Sequence, residues 1–455
     1  MCHTSLMLVD SQEEYYTFLT NNKKSDLILE CLPTNGRCHS ANDSPCAILI
    51  RNINNNNNYV VSISHPDTTF KITKEVLSRD LSNFTGKKFT FDKKQTLHLL
   101  NIENLNDINL INFLIYGNLK DEDYETSAHQ FYYRSYVDSN ELNHCIPLVK
   151  HIESFNKKID AYIQDIITFL PDESYNNLNK VVLENLHILE SNGLAVNKDV
   201  FNSFFGYKNI KIENDLVYTE YNIFTSTGRP SNRFGGVNYA ALKKDDGCRK
   251  SFISRHGDNG ELFMVDYSAY HPHLIAKLIN YHLPSDAYEY LGKFYFEKDK
   301  INEDELKEVK NITFQLIYGT ILPEVKKIPF FSKINDYIEH RWKYFETYGY
   351  IETPIYKRQI NINNIKDPSP TKLFNYILQA TETEYNMETL AILNLYLSNK
   401  LTKPVLYTYD AILFDVYKTE SIEVIRNIKK IMTNNNFPIK CYSGNNYGEM
   451  IRISV

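Results

Sequence analysis

The sequence predicts a multidomain chain of the α+β or α/β class, and three observations support this prediction. First, 455 residues are enough for two to four domains. Second, short apolar runs separated by polar turns, from about residue 25 to about 115, are typical of a mixed sheet. Third, apolar residues recur at three- and four-residue spacing from about residue 143, which predicts long helices that end at Gly193. We therefore place one domain boundary near residue 145 and expect strands and helices to mix beyond the helical segment.

The composition excludes several classes of protein. With 42% hydrophobic and 23% charged residues, the chain is neither collagen-like nor wholly disordered. Its seven cysteines form no CxxC pair and have no metal-ligand spacing, so we expect reduced thiols and an intracellular, cytoplasmic location. No apolar run approaches the roughly 18 residues of a bilayer span, and the first residues do not resemble a targeting segment. We expect no membrane partner.

The net charge leaves one class of partner open. A formal charge of −6 argues against nucleic-acid binding through overall basicity. A local basic cleft on an acidic body remains compatible with this charge. The choice of partner therefore depends on local motifs.

Two aspartates are predicted to lie at the ends of strands. The apolar run from Leu262 to Val265 leads directly to Asp266, and a helical pattern follows. In PVLYTYDAILFDV, two apolar runs flank Tyr409 and Asp410, as expected for a tight hairpin with a carboxylate at its turn. If the two carboxylates lie side by side, their repulsion favours divalent cations such as Mg²⁺. Such a pair is the minimum for two-metal phosphoryl transfer, although either aspartate alone is more typical of a solvated turn.

A third element is predicted to be a helix with two different faces. Lys310, Phe314 and Tyr318 recur at four-residue steps and so share one face, and Gly319 can end the helix. Apolar side chains occupy another face: Val309, Ile312 and Leu316. A lysine beside two aromatic rings suits a nucleoside triphosphate, since the ammonium group takes phosphate charge and the rings pack on sugar or base. Core packing of the same stripe is the alternative interpretation.

The order of these elements resembles the family A DNA polymerases, the bacterial polymerase I type. The family motif DYSxxExR is similar to the segment from Asp266 to His273, and KxxxFxxxYG matches the segment from Lys310 to Gly319. The third motif, HDE, is reduced to Tyr409-Asp410-Ala411. The resemblance extends from about residue 180 to residue 455 in unbroken order.

Further segments carry the same resemblance. TSTGRPSN, which contains Arg229, and the later Asn238 are similar to the TxTGRxS segment and its Asn, and RKSF is similar to RRxF through Arg249. GYIETPIYKR resembles GYxxTxxxRR through Arg358, and Asn375 and Gln379 are similar to the NxxxQ pair. SGNNYGEM resembles the closing GxNWxE segment.

The resemblance implies a right-hand polymerase fold with palm, fingers and a short helical thumb, preceded by a ribonuclease H-like domain of the 3′-5′ exonuclease type. The implied boundaries are 1–145 for the exonuclease-like domain, 146–225 for the thumb and 226–455 for palm and fingers, with fingers at about 272–355. The implied activity is template-directed DNA synthesis, in which dNTPs are added to the 3′ end of a primer. The implied partners are primer-template DNA and dNTPs.

The resemblance also implies roles for individual residues. Asp266 and Asp410 hold two Mg²⁺ ions, together with the backbone carbonyl of Tyr267. Lys310 contacts the phosphates and supplies a proton to the leaving pyrophosphate, Phe314 packs on the sugar, and Tyr318 stacks near the templating base. Contacts to primer and template are implied for a larger set, mostly at phosphates and minor-groove edges. The set is Arg229, Asn238, Arg249, Arg358, Asn375, Gln379 and Tyr409.

Several positions depart from the family pattern. His271 replaces the glutamate that excludes a 2′ hydroxyl, and Leu306 replaces an arginine four residues before the motif lysine. Our hypothesis is that His271 still blocks ribonucleotides and that Lys307 supplies part of the missing phosphate contact. The alternative for His271 is simple packing on Tyr270. Tyr288 lies near the position of the family's β-phosphate histidine and is assigned to the nucleotide site.

The N-terminal segment resembles the exonuclease domain but lacks its first metal-binding aspartate. The DxE triplet is replaced by Ile28-Leu29-Glu30. Asp26, Asp107 and Asp121 are available substitutes, but no spacing favours any of them. We therefore predict a catalytically silent domain.

The predicted thumb is short, at about 80 residues, and the cations of its predicted helices are Lys150, Lys157, Lys158 and Lys180. We expect salt-sensitive DNA binding and modest processivity, raised by a processivity factor or another replisome protein. Two alternatives remain. A related single-subunit RNA polymerase is disfavoured by Phe314, where those enzymes carry Tyr, and a non-catalytic primer-template binding protein is disfavoured because Asp266, Asp410 and Lys310 are all retained. We expect a monomeric, phage-encoded replicative enzyme that acts in the host cytoplasm.

Overall fold

The structure is a computed structural model that describes residues 5–117, 119, 127–208, 210–232, 236–319 and 321–454. The chain forms two compact units, Met1–Ser191 and Asn192–Val455. The segment 146–225, predicted as a thumb, is therefore divided between the two units. The predicted mixture of helices and strands is confirmed.

The first unit is built on a six-stranded mixed sheet in the order β1-β4-β3-β2-β5-β6. Strand β2 is antiparallel to β3 and parallel to β5, and β1 is parallel to β4. The strands are β1 (Leu6–Val9), β2 (Leu27–Pro33), β3 (Pro45–Asn52), β4 (Asn58–Ser62), β5 (Lys88–Thr90) and β6 (Leu105–Asp107). Strands β3 and β4 are buried along their whole length, as expected for a sheet covered on both faces.

Helices cover this sheet. The first four are α1 (Gln12–Asn22), α2 (Lys74–Ser82), α3 (Lys93–Leu99) and α4 (Ile108–Tyr116). The next five are α5 (Ser127–Ser135), α6 (Leu142–Cys145), α7 (Leu148–Thr168), α8 (Glu173–Asn176) and α9 (Leu183–Asn192). A π-helical segment, Asn177–Val182, joins α8 to α9.

Helix α7 explains why the first unit extends beyond residue 145. Its buried residues, among them Ile152, Phe155 and Ile159, recur at three- and four-residue spacing. This apolar stripe packs on α4 and β3, and the rings of Phe155 and Tyr162 meet the ring of Phe91 at 6.3 and 5.8 Å between centroids. Because the stripe is buried against this sheet, α7 belongs to the first unit.

The second unit is built on a five-stranded antiparallel sheet in the order β14-β15-β11-β16-β17. These strands are β11 (Gly260–Tyr267), β14 (Lys403–Thr408), β15 (Ala411–Tyr417), β16 (Ile439–Gly444) and β17 (Ile451–Ile453). Three small ribbons accompany them. Their strands are β7 (Leu194–Ala195), β8 (Leu216–Val217), β9 (Tyr221–Asn222), β10 (Ser231–Asn232), β12 (Tyr350–Glu352) and β13 (Gln359–Asn361).

The helices of the second unit include the longest in the described chain, α15, which contacts α11, α13, α14 and α16. They are α10 (Lys198–Phe205), α11 (Tyr270–Leu278), α12 (Ala287–Phe296), α13 (Glu303–Tyr318), α14 (Pro329–Tyr348), α15 (Pro370–Leu397) and α16 (Ser421–Met432). No helix within the described ranges is long and apolar enough to cross a membrane.

Candidate active site

The two predicted aspartates lie on neighbouring strands of the five-stranded sheet. Strand β11 pairs antiparallel with β15, so that Asp266 lies opposite Ala411. The N–H of Tyr267 donates to the carbonyl of Asp410 at 2.9 Å. Asp410 follows β14 in the two-residue turn that leads into β15, so the predicted hairpin is confirmed. The fold therefore brings together two carboxylates that are far apart in the sequence.

The electrostatics of this pair fit a divalent cation. Burial, followed by the charge of Asp410, raises the pKa of Asp266 to about 6. Burial, followed by the charge of Glu382, raises the pKa of Asp410. In the part of the chain that the structure describes, no lysine or arginine forms an ion pair with either carboxylate. Two neighbouring carboxylates of this kind, one half-buried and one exposed, provide the oxygen ligands that Mg²⁺ prefers.

The turn between β14 and β15 has an unusual backbone that other elements hold in place. Tyr409 has φ of +62°, which is uncommon for a bulky residue. The amide of Asn386, from α15, donates to the carbonyl of Tyr409 at 2.6 Å. The guanidinium of Arg229 lies 3.6 Å from the centre of the Tyr409 ring. These contacts determine the position of the adjacent Asp410.

Helix α13 presents the predicted cationic and aromatic face. The rings of Phe314 and Tyr318 are stacked, with centroids 5.8 Å apart and planes inclined by 4°. The Lys310 ammonium lies 5.9 Å from the centre of the Phe314 ring and lowers the pKa of Asp266, so it belongs to the same site. Val309 and Leu316 are buried, as predicted, and Ile312 is half-buried. The helix has one face for packing and one available for a ligand.

His271 is tied to two groups of the site. Its Nδ1 is hydrogen-bonded to the hydroxyl of Tyr318, and its Nε2 lies 3.3 Å from Oε1 of Glu382. The ring centroid lies 5.7 Å from that of Tyr318 and 6.4 Å from that of Tyr270. Simple packing on Tyr270 therefore does not account for the polar contacts of the His271 ring.

Glu382 is the central residue that the sequence interpretation missed. Its side chain is 1% exposed and is held between His271 and Arg229, whose guanidinium nitrogen lies 3.0 Å from Oε2. A signal was present in the sequence. The polar residues Asn375, Gln379, Glu382 and Asn386 follow each other at steps of four, three and four, which places them along one face of α15.

Besides Arg229, which contacts Glu382 and Tyr409, two further arginines assigned to DNA are engaged within the protein. The guanidinium of Arg249 donates to the carbonyl of Leu242 at 2.8 Å and lies 4.8 Å from the centre of the Tyr447 ring. Arg358 is 5% exposed and donates to the carbonyl of Ser226 at 3.2 Å. Its assignment to direct DNA contact requires correction, because a buried guanidinium holds the loop that precedes Arg229.

Gly228 has a role in the same loop. It has φ of +71°, and a Cβ there would lie 3.4 Å from the Arg358 guanidinium. A side chain would therefore strain the backbone and crowd the buried arginine.

The other predicted residues differ in their surroundings. Burial, followed by the charge of Asp410, raises the pKa of Tyr288 to about 12, so Tyr288 lies near the carboxylate pair. The amide of Asn375 donates to the carbonyl of Tyr318 at 3.3 Å, and Gln379 is half-buried on the same helix. Lys307 is 79% exposed and pairs with Asp304 at 3.1 Å. Two further predicted residues remain. Asn238 is exposed. The Tyr267 hydroxyl donates to the Met432 carbonyl at 3.2 Å.

The first unit has a different environment at the position predicted for exonuclease carboxylates. Ile28 and Leu29 are fully buried, and Oε1 of Glu30 lies 2.5 Å from the ammonium of Lys158. Asp26 accepts from the backbone N–H of Lys87. Asp107 is buried and accepts from two backbone N–H groups, at the start of α3 and of α4. Asp121 lies outside the described residues.

The lysines assigned to the thumb also have distinct surroundings. Lys150 pairs with Glu153 at 2.7 Å on the same helix, whereas Lys157 and Lys180 are exposed. Lys158 is engaged with Glu30. Lys157 and Lys180 are therefore the better candidates for phosphate contact.

Comparison with known proteins shows the fold. No family model and no curated protein matches the chain. A solved structure does match, described as the POL domain of Pol1 from M. smegmatis in complex with a DNA primer-template and dNTP. The TM-score is 0.72 at 13% sequence identity, with 97% of this chain and 99% of that chain covered. The chain therefore has the fold of that polymerase domain.

Proposed function

We propose that this protein is a template-directed DNA polymerase that adds dNTPs to the 3′ end of a primer by two-metal phosphoryl transfer. The observation that carries the proposal is the adjacency of Asp266 and Asp410 beside the Lys310 face of α13, within a polymerase-domain fold. The structural match was solved with a primer-template and dNTP, which supports the same partners here.

Asp266 and Asp410 would hold two Mg²⁺ ions, with the carbonyl of Tyr267 as a further ligand. Metal ions held there would supply positive charge for the primer 3′ hydroxyl and for the triphosphate. The chain supplies the remaining groups. Lys310 binds the triphosphate and donates a proton to the leaving pyrophosphate, while Phe314 packs on the sugar and Tyr318 stacks near the templating base.

A primer-extension assay tests this activity. We expect Asp266→Asn and Asp410→Asn each to reduce extension of a labelled primer by more than about 100-fold, since loss of even an outer contact of a metal site costs 10- to 100-fold. Asp258→Asn is the matched control, because Asp258 is an exposed aspartate of the same unit. Full activity of either active-site variant would overturn the proposal.

We further propose that His271 selects the sugar. Its contacts with Tyr318 and Glu382 support the proposal, because they hold a bulky ring rigidly next to Tyr318, a nucleotide-site residue. His271→Ala should increase ribonucleotide incorporation relative to deoxyribonucleotide incorporation, measured as the ratio of kcat/KM values. An unchanged ratio would refute this role. Phe314 supports DNA over RNA as the product.

We propose that the first unit has the exonuclease-type fold without the exonuclease activity. Ile28 supports this, because an apolar residue replaces the first metal-binding carboxylate and leaves Glu30, ion-paired with Lys158, without a second acidic ligand beside it. Removal of a mismatched 3′ nucleotide by the purified protein, abolished by Glu30→Ala, would overturn it. A replicative role in a phage, in host cytoplasm and as a monomer with a processivity partner, remains a prediction from the sequence resemblance.

A further inference from the structure

A group of metal-binding side chains lies in the first unit, outside the proposed active site. His39, His98 and Glu190 each offer one ligand atom, and the three atoms lie within 4.8 Å of one another. We call this set the His–Glu cluster. His39 precedes a short 3-10 turn, His98 is on α3 and Glu190 is on α9. The cluster thus joins three separate segments of the first unit.

Hydrogen bonds determine which nitrogen of His98 carries a proton. The Ser191 hydroxyl donates to the carbonyl of His187 at 2.8 Å. The hydroxyl proton of Ser191 is therefore used in this bond. The Ser191 oxygen lies 3.1 Å from Nδ1 of His98 and must accept a hydrogen bond from that nitrogen. The neutral His98 ring then has its lone pair on Nε2. This is the tautomer in which imidazole binds a metal through Nε2 while its other nitrogen donates to a neighbour.

The Nε2 lone pair faces a carboxylate. Nε2 of His98 lies 3.1 Å from Oε2 of Glu190, and the two side chains are 2% and 0% exposed. Two buried acceptors at this distance need a cation between them, either a proton on His98 or a metal ion. For metal–ligand bonds of about 2.0–2.1 Å, two ligand atoms of a tetrahedral site lie roughly 3.3 Å apart. The spacing therefore suits a shared metal.

The surroundings of the pair resemble the outer contacts of a metal site. Lys94 forms an ion pair with the other oxygen of Glu190, which holds the carboxylate and leaves Oε2 toward His98. The Nδ1 of His39 accepts from the N–H of Ala41 at 3.1 Å. Ligation through Nε2 of His39 would move the ring proton to Nδ1 and release that bond. We expect metal binding to rearrange the Ser40–Asn42 turn.

A cavity lies beside His98 of the cluster. Its volume is about 720 Å³, and its lining includes His98, His187 and Ser191. The His187 ring lies 4.3 Å from the His98 ring between centroids. Its Nδ1 is buried, and no residue of the described ranges forms a hydrogen bond with it. A third imidazole with a spare nitrogen therefore lies next to the cluster.

We propose that the His–Glu cluster binds one divalent transition-metal ion of the zinc type. Two imidazole nitrogens and one carboxylate oxygen form a donor set that suits zinc, whereas Mg²⁺ prefers oxygen ligands throughout. Because the ion would connect the 3-10 turn, α3 and α9, its role is structural. The inference does not depend on the proposed polymerase activity.

Titration of the chelator-treated full-length protein with Co²⁺ tests the proposal. Millimolar Mg²⁺ is kept present to occupy the carboxylate pair of the proposed active site. We expect one Co²⁺ per chain with the visible absorption of a site of low coordination number, displaced by Zn²⁺. His98→Ala and His39→Ala should each weaken binding by at least about 10-fold. His144→Ala, a histidine of the same unit outside the cluster, and Asp410→Asn should leave it unchanged.

Two results would overturn the proposal. One is the absence of stoichiometric Co²⁺ or Zn²⁺ binding by the wild type, which would mean that a proton bridges His98 and Glu190. The other is wild-type affinity in both histidine variants. If His98→Ala does not fold, as judged by circular dichroism, His39→Gln replaces it, since His39 is half-buried at a turn. Zn²⁺ should then raise the Tm of the wild type but not that of His39→Gln.

Discussion

The carboxylates of the two units have opposite surroundings. Asp266 is half-buried and Asp410 is exposed; the two lie next to each other, and within the described ranges no lysine or arginine forms an ion pair with them. Glu30 lies on a central strand of the first unit but has the ammonium of Lys158 at 2.5 Å. In the first arrangement, neither carboxylate has an ion-pair partner among the described residues, so the pair can take up metal ions. The second already contains its counter-ion.

The comparison teaches that a carboxylate must be interpreted together with its neighbours, because two adjacent carboxylates repel each other whereas a single one can be compensated by a basic side chain. Glu382 makes the point within the second unit. It lies close to Asp410 but is compensated by Arg229 and His271, so it resembles Glu30 in its electrostatics. We therefore interpret Glu382 as a positioning residue and Asp266 and Asp410 as metal ligands.

Apart from the two aspartates, the largest expected effect concerns this third carboxylate. Glu382→Ala removes the partner of both Arg229 and His271 and should reduce kcat/KM for primer extension by about 10- to 100-fold. Glu382→Gln keeps one acceptor oxygen and should lose less. Mg²⁺ affinity should change little in both variants, which separates positioning from ligation. Glu308→Ala, an exposed glutamate of α13, is the control. Wild-type kinetics of Glu382→Ala would show that the comparison is wrong.

The second prediction concerns stability without metal. The pKa of Asp266 is raised from 3.8 to about 6 in the folded protein, so the metal-free fold loses stability as the pH rises through this window and does not regain it above. In EDTA at pH 8, Asp410→Asn should raise the Tm by about 2–4 °C, because it removes part of the repulsion.

Two further measurements sharpen this prediction. The difference in Tm between the wild type and Asp410→Asn should shrink at pH 4, where Asp266 is largely protonated and no longer repels its neighbour. Added Mg²⁺ should raise the Tm of the wild type more than that of the variant. A lower Tm for Asp410→Asn in EDTA at pH 8 would contradict the assigned repulsion.

The smallest effect is expected at Glu30. Its ion pair with Lys158 is partly exposed, at 21% and 29% for the two side chains, so Glu30→Gln should cost about 1 kcal/mol or less in unfolding free energy. Urea denaturation measures this cost. Primer extension should stay at the wild-type level, and a large loss of extension would give Glu30 a function that a structural ion pair does not explain.

Much of the fold was predictable from local patterns. The strand before Asp266, the hairpin around Asp410 and the two faces of α13 follow from apolar periodicity, and the structure has each of them. The position of the domain boundary could not be predicted from local patterns. A change of periodicity near residue 145 marks a new helix but does not indicate which sheet the helix covers. Helix α7 has its own pattern but packs on α4 and β3.

Site residues that belong to a sequence motif could be predicted. Residues whose role depends on a tertiary contact could not. The sequence indicates that Arg358 is basic but does not indicate that its guanidinium is buried against the Ser226 carbonyl. Likewise, Glu382 becomes important only when Arg229 and His271, from distant segments, converge on it. The His–Glu cluster was missed for the same reason, since its members come from three segments and have no characteristic spacing.

The turn that carries Asp410 has a consequence for incomplete chains. Its left-handed Tyr409 is held by Arg229 and Asn386, both of which precede it in the sequence, and Asp266 also lies upstream. A chain cut short before β14 would therefore contain Asp266 and the two residues that hold the turn, Arg229 and Asn386, but would lack Asp410. Such a chain would also lack β15 and β16, the two strands that pair with β11, so it should not extend a primer.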